Sequence, residues 1–179
     1  MNKPIQSLTA AFLVACVLLI SGCGKAPVVK QMEVTAYCGC GKCCNWERGS
    51  WKCLKLDFWN RYINKGRYAG EPYSGLTASG TKPNEPQPGL FSVNTLTHPW
   101  MLPFRLLLPW LWLPEDGTIA ADTRYYSFGT RMYVPGYGYG VVEDRGGAIK
   151  GPRRLDLYYS SHSEALEWGR QHVKVEIMR

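Results

Sequence analysis

The chain has 179 residues, with 21 Lys and Arg against 14 Asp and Glu and a formal net charge of +7. That length leaves room for one domain with a proper core and too little for two, and the basic balance directs it toward polyanions or simply keeps it soluble. No nucleic-acid-binding motif accompanies the charge, so no nucleic-acid partner is expected; anionic wall polymers and lipid headgroups remain. The 19 Gly, 12 Pro and 11 Tyr, with few long amphipathic runs, favour strands joined by tight turns and hence a mostly β class.

The chain opens with Lys3, runs through an apolar stretch at 8–20 and stops at Ser21-Gly22-Cys23. This pattern is that of an export signal, and its apolar part is shorter than the roughly 20 residues needed to cross a bilayer. Ile20-Ser21-Gly22-Cys23 resembles the site cut ahead of a lipidated cysteine, which makes Cys23 the expected lipidation site and mature N-terminus. Ordinary cleavage and an uncleaved anchor are the alternatives. Residues 1–22 are then a signal peptide, 23–32 a lipidated tether and 33–179 the folded domain. Gly24, standing where an aspartate would retain a lipoprotein at the inner membrane, resembles sorting to the outer membrane, facing the periplasm.

In chain order, Glu33-Val34-Thr35-Ala36-Tyr37 is β-branched and aromatic and predicts the first strand. The cluster Cys38-Gly39-Cys40-Gly41-Lys42-Cys43-Cys44 and the stretch to Tyr73 show no usable periodicity. Residues 81–117 hold seven prolines, a density that speaks against a regular helix or central strand. Strand signals resume at Thr118-Ile119-Ala120-Ala121, Arg131-Met132-Tyr133-Val134 and Tyr139-Gly140-Val141-Val142-Glu143, with Pro135-Gly136-Tyr137-Gly138 turning the last two into a hairpin. Leu155-Asp156-Leu157-Tyr158 is a further short strand. Ser161-His162-Ser163-Glu164 fits a capping box that opens a short C-terminal helix stopped by Gly169. Val173, Val175 and Ile177 alternate with Lys174 and Glu176 as a closing strand.

Three aspartates recur beside apolar strand residues: Asp122 after Ile119-Ala120-Ala121, Asp144 after Val141-Val142-Glu143, and Asp156 between Leu155 and Leu157. Carboxylates that converge in one partly desolvated cleft push at least one pKa upward, which is how a general acid for glycoside cleavage stays protonated near neutral pH. Turn aspartates bonded to backbone N–H groups would show the same spacing.

Val34-Thr35-Ala36-Tyr37-Cys38, Thr77-Ala78-Ser79-Gly80, Gly117-Thr118-Ile119-Ala120-Ala121-Asp122, Phe128-Gly129-Thr130-Arg131-Met132, the run from Val142 through Asp144-Arg145-Gly146-Gly147 to Gly151, and Arg154-Leu155-Asp156-Leu157-Tyr158 together resemble the 3D domain, named for its three aspartates. The resemblance implies a six-stranded double-psi β-barrel like that of membrane-bound lytic transglycosylases, with one short C-terminal helix and, here, a long Pro/Trp-rich insertion at 81–117. It implies that Asp156 is the catalytic acid and base, Asp144 its catalytic neighbour, and Asp122 a substrate-binding or supporting carboxylate. Thr77, Lys150 and Gly147 would line the groove. The implied activity is lytic cleavage of the MurNAc–GlcNAc bond of peptidoglycan to 1,6-anhydro products without a cofactor; a non-catalytic glycan-binding lipoprotein is the alternative. Rare lipoprotein A and the expansins share several of these motifs but usually carry histidine where this chain has Asp122.

Cys38, Cys40, Cys43, Cys44 and Cys53 are an odd set beyond the signal. Two bridges with one free thiol, or a four-thiolate metal site ill suited by the Cys43-Cys44 adjacency, are the readings left open. His98, His162 and His172 are scattered, so no metal site is expected. Residues 100–113, rich in Trp and Leu but broken by Pro103 and Pro109, would either cover a flank of the barrel or lie in a membrane interface.

Overall fold

The computed structural model describes residues 26–49 and 62–178. The export signal, Cys23 and Cys53 lie outside these. Six strands close into a barrel: β1 (Val28–Cys38), β4 (Gly117–Ala121), β5 (Arg131–Val134), β6 (Gly138–Asp144), β7 (Arg154–Tyr159) and β8 (Gln171–Ile177). Two short strands, β2 (Trp46–Glu47) and β3 (Ile63–Asn64), pair with each other outside it. Around the barrel the order is β1-β7-β4-β6-β5-β8, returning to β1. β1/β7 and β4/β6 are parallel pairs and the other neighbours antiparallel. This is the mixed, mostly β barrel expected of a double-psi fold.

Alternation along each strand fills the interior. Met32, Val34, Ile119, Met132, Leu155 and Leu157 are all fully buried in one cluster, each worth about 1.5–3 kcal/mol relative to exposure. Closure leaves the barrel itself no free edge to pair with another chain. β1 starts at Val28, inside the stretch read as tether, because Val28 to Met32 find partners in Ile177 to Val173 of β8. The hairpin expected at 135–138 is present, closed by the Tyr137 N–H on the Val134 carbonyl at 3.1 Å.

The insertion corrects one expectation. It contains two short helices, α1 (Val93–Thr97) and α2 (Leu102–Leu107), and proline is compatible with α2 because Pro103 sits in its first turn, where an N–H has no helical partner. The insertion also does not lay its apolar side chains on the barrel: Phe91, Leu107 and Trp110 are 99%, 78% and 68% exposed. A buried guanidinium organises it, with Arg105 donating to Asn94 Oδ1 at 2.8 Å and to Thr95 Oγ1, while Trp112 Nε1 reaches the Arg105 carbonyl at 2.7 Å.

The C-terminal helix α3 (His162–Trp168) stands where expected, ended by Gly169 at φ 63°. Its capping box does not form. Ser161 is the N-cap but makes no side-chain cap bond, its Oγ meeting Ser163 Oγ at 2.5 Å instead. No described helix is long and apolar enough to cross a membrane.

Candidate functional site

Where β4 and β6 end and β7 begins, the barrel opens into a cleft of about 430 Å³. Asp144 and Asp156 line it together with Tyr37, Tyr73, Thr77 and Tyr158. The register explains the convergence. Ala120 of β4 is the partner of Asp156 on one side and of Asp144 on the other. On the β6 side the register slips one residue between Ile119 and Ala120, which skips Glu143 and brings Asp144 level with Ala120. Such irregularities re-aim side chains next to functional sites. The skipped Glu143 is held by Thr118, whose hydroxyl donates to Oε2 at 2.8 Å.

Asp156 projects from β7 beside Thr35 of the parallel strand β1, and the Thr35 hydroxyl donates to its Oδ1 at 2.7 Å. Burial pushes its pKa up, Asp144 adds to the rise, and Thr35 and Arg154 oppose it, for a value of about 6. A carboxyl in this setting can hold a proton near neutral pH and give it up at modest cost.

Asp144 is an acceptor on both oxygens. Oδ1 takes the backbone N–H groups of Ala78 at 3.0 Å and Arg145 at 2.8 Å, and Oδ2 takes the Tyr37 hydroxyl at 2.9 Å. The loop carrying Thr77 is therefore tied to β6 through Asp144, and the Ser79 N–H on the Glu143 carbonyl adds a second tie at 2.9 Å. Thr77 is itself almost fully buried, its hydroxyl within 3.0 Å of Ser79 Oγ and 2.8 Å of Thr81 Oγ1. It lines the cleft as expected.

Asp122 is placed elsewhere. Its carboxylate is gripped by Arg124 Nε at 3.0 Å and Nη2 at 2.6 Å and by the Gly151 N–H at 2.8 Å. The Arg124 side chain, followed by Gly151, holds its pKa well below the usual carboxylate range. Asp122 is not among the residues that line the cleft, and its bond from the Gly151 N–H ties the end of the glycine loop. Lys150 is exposed and likewise outside the cleft. Gly147 lines it, with open space where a Cβ would stand. Gly146 is different, because a Cβ there would collide with the Ile149 side chain.

Several residues that line the cleft or hold its carboxylates were assigned no role from the sequence. Tyr37 and Thr35 are ordinary strand residues until β1 is paired with β7. Tyr158 meets Tyr37 edge-on at 5.5 Å, and Arg145 lies over the Phe128 ring at 4.7 Å. Alternation could have put Thr35 and Tyr37 on one face, but not opposite Asp156 and Asp144.

Residues 117–179 match the family model described as the 3D domain. The matched stretch is about a third of the chain. It contains β4 to β8, α3 and all three aspartates, whereas β1, which supplies Thr35 and Tyr37, lies outside the matched stretch. Over 65 residues the chain is 37% identical to YabE of Bacillus subtilis (strain 168), named for cell wall shaping, and 38% identical to the cell wall-binding protein YocH of the same organism. These alignments cover 36% of this chain and only 16% and 22% of those proteins. Among solved structures, that of MltA from E. coli is similar at 23% identity and a TM-score of 0.31, covering 38% of this chain and 26% of that one.

The described cysteines correct two further expectations. Cys38, Cys40, Cys43 and Cys44 are unbridged. His162, expected to stand apart from any metal constellation, is brought against Cys38, Cys40 and Cys43.

Proposed function

We propose that this barrel is a peptidoglycan lytic transglycosylase that cleaves the MurNAc–GlcNAc bond and leaves 1,6-anhydromuropeptides. The observation that carries the reading is Asp156, a carboxyl lifted to about 6 by burial and by Asp144 and set in a cleft walled by Tyr37, Tyr73 and Tyr158. Asp156 protonates the bridging oxygen, and the GlcNAc side leaves. The C6 hydroxyl of the muramyl residue then closes on C1, returning its proton to the Asp156 carboxylate. Because substrate supplies the nucleophile, one acid–base residue suffices. Asp144 stabilises the developing oxocarbenium charge, and the tyrosine faces and the Gly147 backbone accept the sugar rings. The names of YabE and YocH support a cell-wall substrate. Digestion of purified sacculi followed by mass spectrometry should release anhydromuropeptides; intact sacculi in the presence of folded protein would refute the assignment.

The second reading is a glycan-binding module without catalysis, favoured by the name of YocH as a cell wall-binding protein. Its signature is co-sedimentation with sacculi, no soluble products, and indifference to Asp156→Asn. In either reading the protein works in the cell envelope, anchored by lipid at Cys23 and facing the periplasm from the outer membrane. The exposed Trp100, Trp110 and Leu113 of the insertion add an interfacial contact of the kind Trp favours. Cys23→Ser should abolish acylation and release the chain from membranes once the insertion is also removed.

A further inference from the structure

Beside the cleft, the fold gathers a second set of reactive side chains. Cys38 ends β1, Cys40 and Cys43 lie in the turn that follows, and His162 opens α3, 124 positions after Cys38. Their ligand atoms all lie within 4.8 Å of one another. His162 Nδ1 stands 3.6 Å from Cys38 Sγ, 3.5 Å from Cys40 Sγ and 3.5 Å from Cys43 Sγ, and the sulfurs of Cys38 and Cys43 are 3.7 Å apart.

These spacings discriminate between two chemistries. A disulfide needs sulfurs about 2.05 Å apart. Tetrahedral zinc, with Zn–S near 2.3 Å and Zn–N near 2.05 Å, sets sulfur–sulfur edges at about 3.8 Å and sulfur–nitrogen edges at about 3.6 Å. The observed edges match the second. The turn itself is closed by backbone, with the N–H groups of Cys43 and Cys44 on the Cys40 carbonyl at 3.1 and 2.8 Å. Gly41 permits the tight turn, since a Cβ there would run into the Trp46 carbonyl, and Trp46 Nε1 pins the turn through the Gly39 carbonyl at 2.9 Å.

We propose that Cys38, Cys40, Cys43 and His162 bind one zinc ion in a closed tetrahedral site that fixes one wall of the cleft. Four protein ligands leave no open position, so the ion is structural and takes no part in bond cleavage. Gly39, Cys43, Cys44 and Asn45 of this turn all line the cleft. The zinc therefore fastens that wall to α3. Cys44 is excluded, its Sγ turned to the Cys38 carbonyl at 3.2 Å. Three thiolates, a neutral imidazole and Zn²⁺ sum to one negative charge, and Lys42 lines the recess above the site.

The test uses the full chain. Elemental analysis should find about one zinc per chain, removable by chelator, and refilling with cobalt(II) should give the visible d–d bands of a tetrahedral site and thiolate-to-cobalt charge transfer in the near ultraviolet. His162→Ala should weaken zinc binding by about 100-fold or more, His162→Cys should keep the tetrahedral bands with stronger charge transfer, and Cys44→Ser should keep full stoichiometry. Should His162→Ala fail to fold, the wild-type zinc content and the His162→Cys spectrum decide. The proposal is overturned if chain isolated without reductant carries a disulfide among Cys38, Cys40 and Cys43, or if reduced, folded chain binds neither zinc nor cobalt at one equivalent. None of these readouts depends on peptidoglycan cleavage, so the metal site and the proposed activity can fail separately.

Discussion

Asp144 and Asp156 flank a single residue, Ala120, one from each neighbouring strand. The two carboxylates are close enough for the Asp144 charge to add to the rise in the Asp156 pKa. They are also unlike in environment. Asp144 accepts three hydrogen bonds, whereas Asp156 has one hydroxyl donor and a buried setting.

From that asymmetry, Asp156→Asn should lower transglycosylase turnover by about two orders of magnitude or more while sacculus binding persists. The proposed mechanism needs Asp156 protonated and its pKa is pushed up to about 6, so kcat/KM should fall as pH rises through that value. Turnover of one defined glycan across pH checks both statements. Full activity of Asp156→Asn would remove this residue from the mechanism.

Asp144→Asn should be milder, about ten- to a hundredfold in turnover. The amide can present its oxygen to the two backbone N–H groups and its NH₂ to the Tyr37 oxygen, so the fold survives. Losing the negative charge removes one cause of the raised Asp156 pKa, and the alkaline fall in kcat/KM should move to lower pH. A profile that keeps its wild-type midpoint would show that the two residues are not electrostatically coupled.

The legible and illegible parts of this protein divide by the range of the interactions. β5, β6 and their hairpin follow from local alternation and a Pro-Gly turn, and α3 from its flanking Ser161 and Gly169. Asp144 and Asp156 were visible as carboxylates at strand positions. What sequence could not supply was register: the one-residue slip at Ala120, the pairing of Thr35 with Asp156, and the start of β1 at Val28 all depend on strands far apart in the chain. The same limit hid His162 from the cysteines, since no local pattern joins residues 124 positions apart. Asp122 shows a different limit. Its motif is like those of its fellows, but Arg124 and Gly151 take up its oxygens.

Asp122 should accordingly matter to stability before it matters to binding. Its folded pKa is depressed, so its contribution is present above the unfolded value near 3.9 and lost as pH falls through the lower folded one. Asp122→Ala should lower the melting temperature at neutral pH, by more than Arg124→Ala does, because it also strands the Gly151 N–H. The difference from wild type should shrink in acid. Sacculus affinity, measured well below the melting transition, should change little; a selective loss of affinity without loss of stability would return Asp122 to the groove.

The raised pKa of Asp156 makes an opposite and independent prediction. Its ordinary value is 3.8 and its folded value about 6, so between those limits the folded chain binds a proton that the unfolded chain has released. The stability associated with that proton is fully present below about pH 4 and is lost as pH rises through about 6. The shift corresponds to at most about 3 kcal/mol at neutral pH, a cost of holding the buried carboxylate ionised. Asp156→Asn keeps an oxygen for the Thr35 hydroxyl and carries no charge, so it escapes that cost. The variant should therefore be more stable than wild type by about 1–3 kcal/mol above pH 7, with the advantage declining toward zero near pH 4. Urea unfolding of both proteins at several pH values across that range measures it directly. An advantage that does not vary with pH would mean that packing, rather than ionisation of Asp156, separates the two proteins, and the acid assigned to the cleft would lose its electrostatic basis.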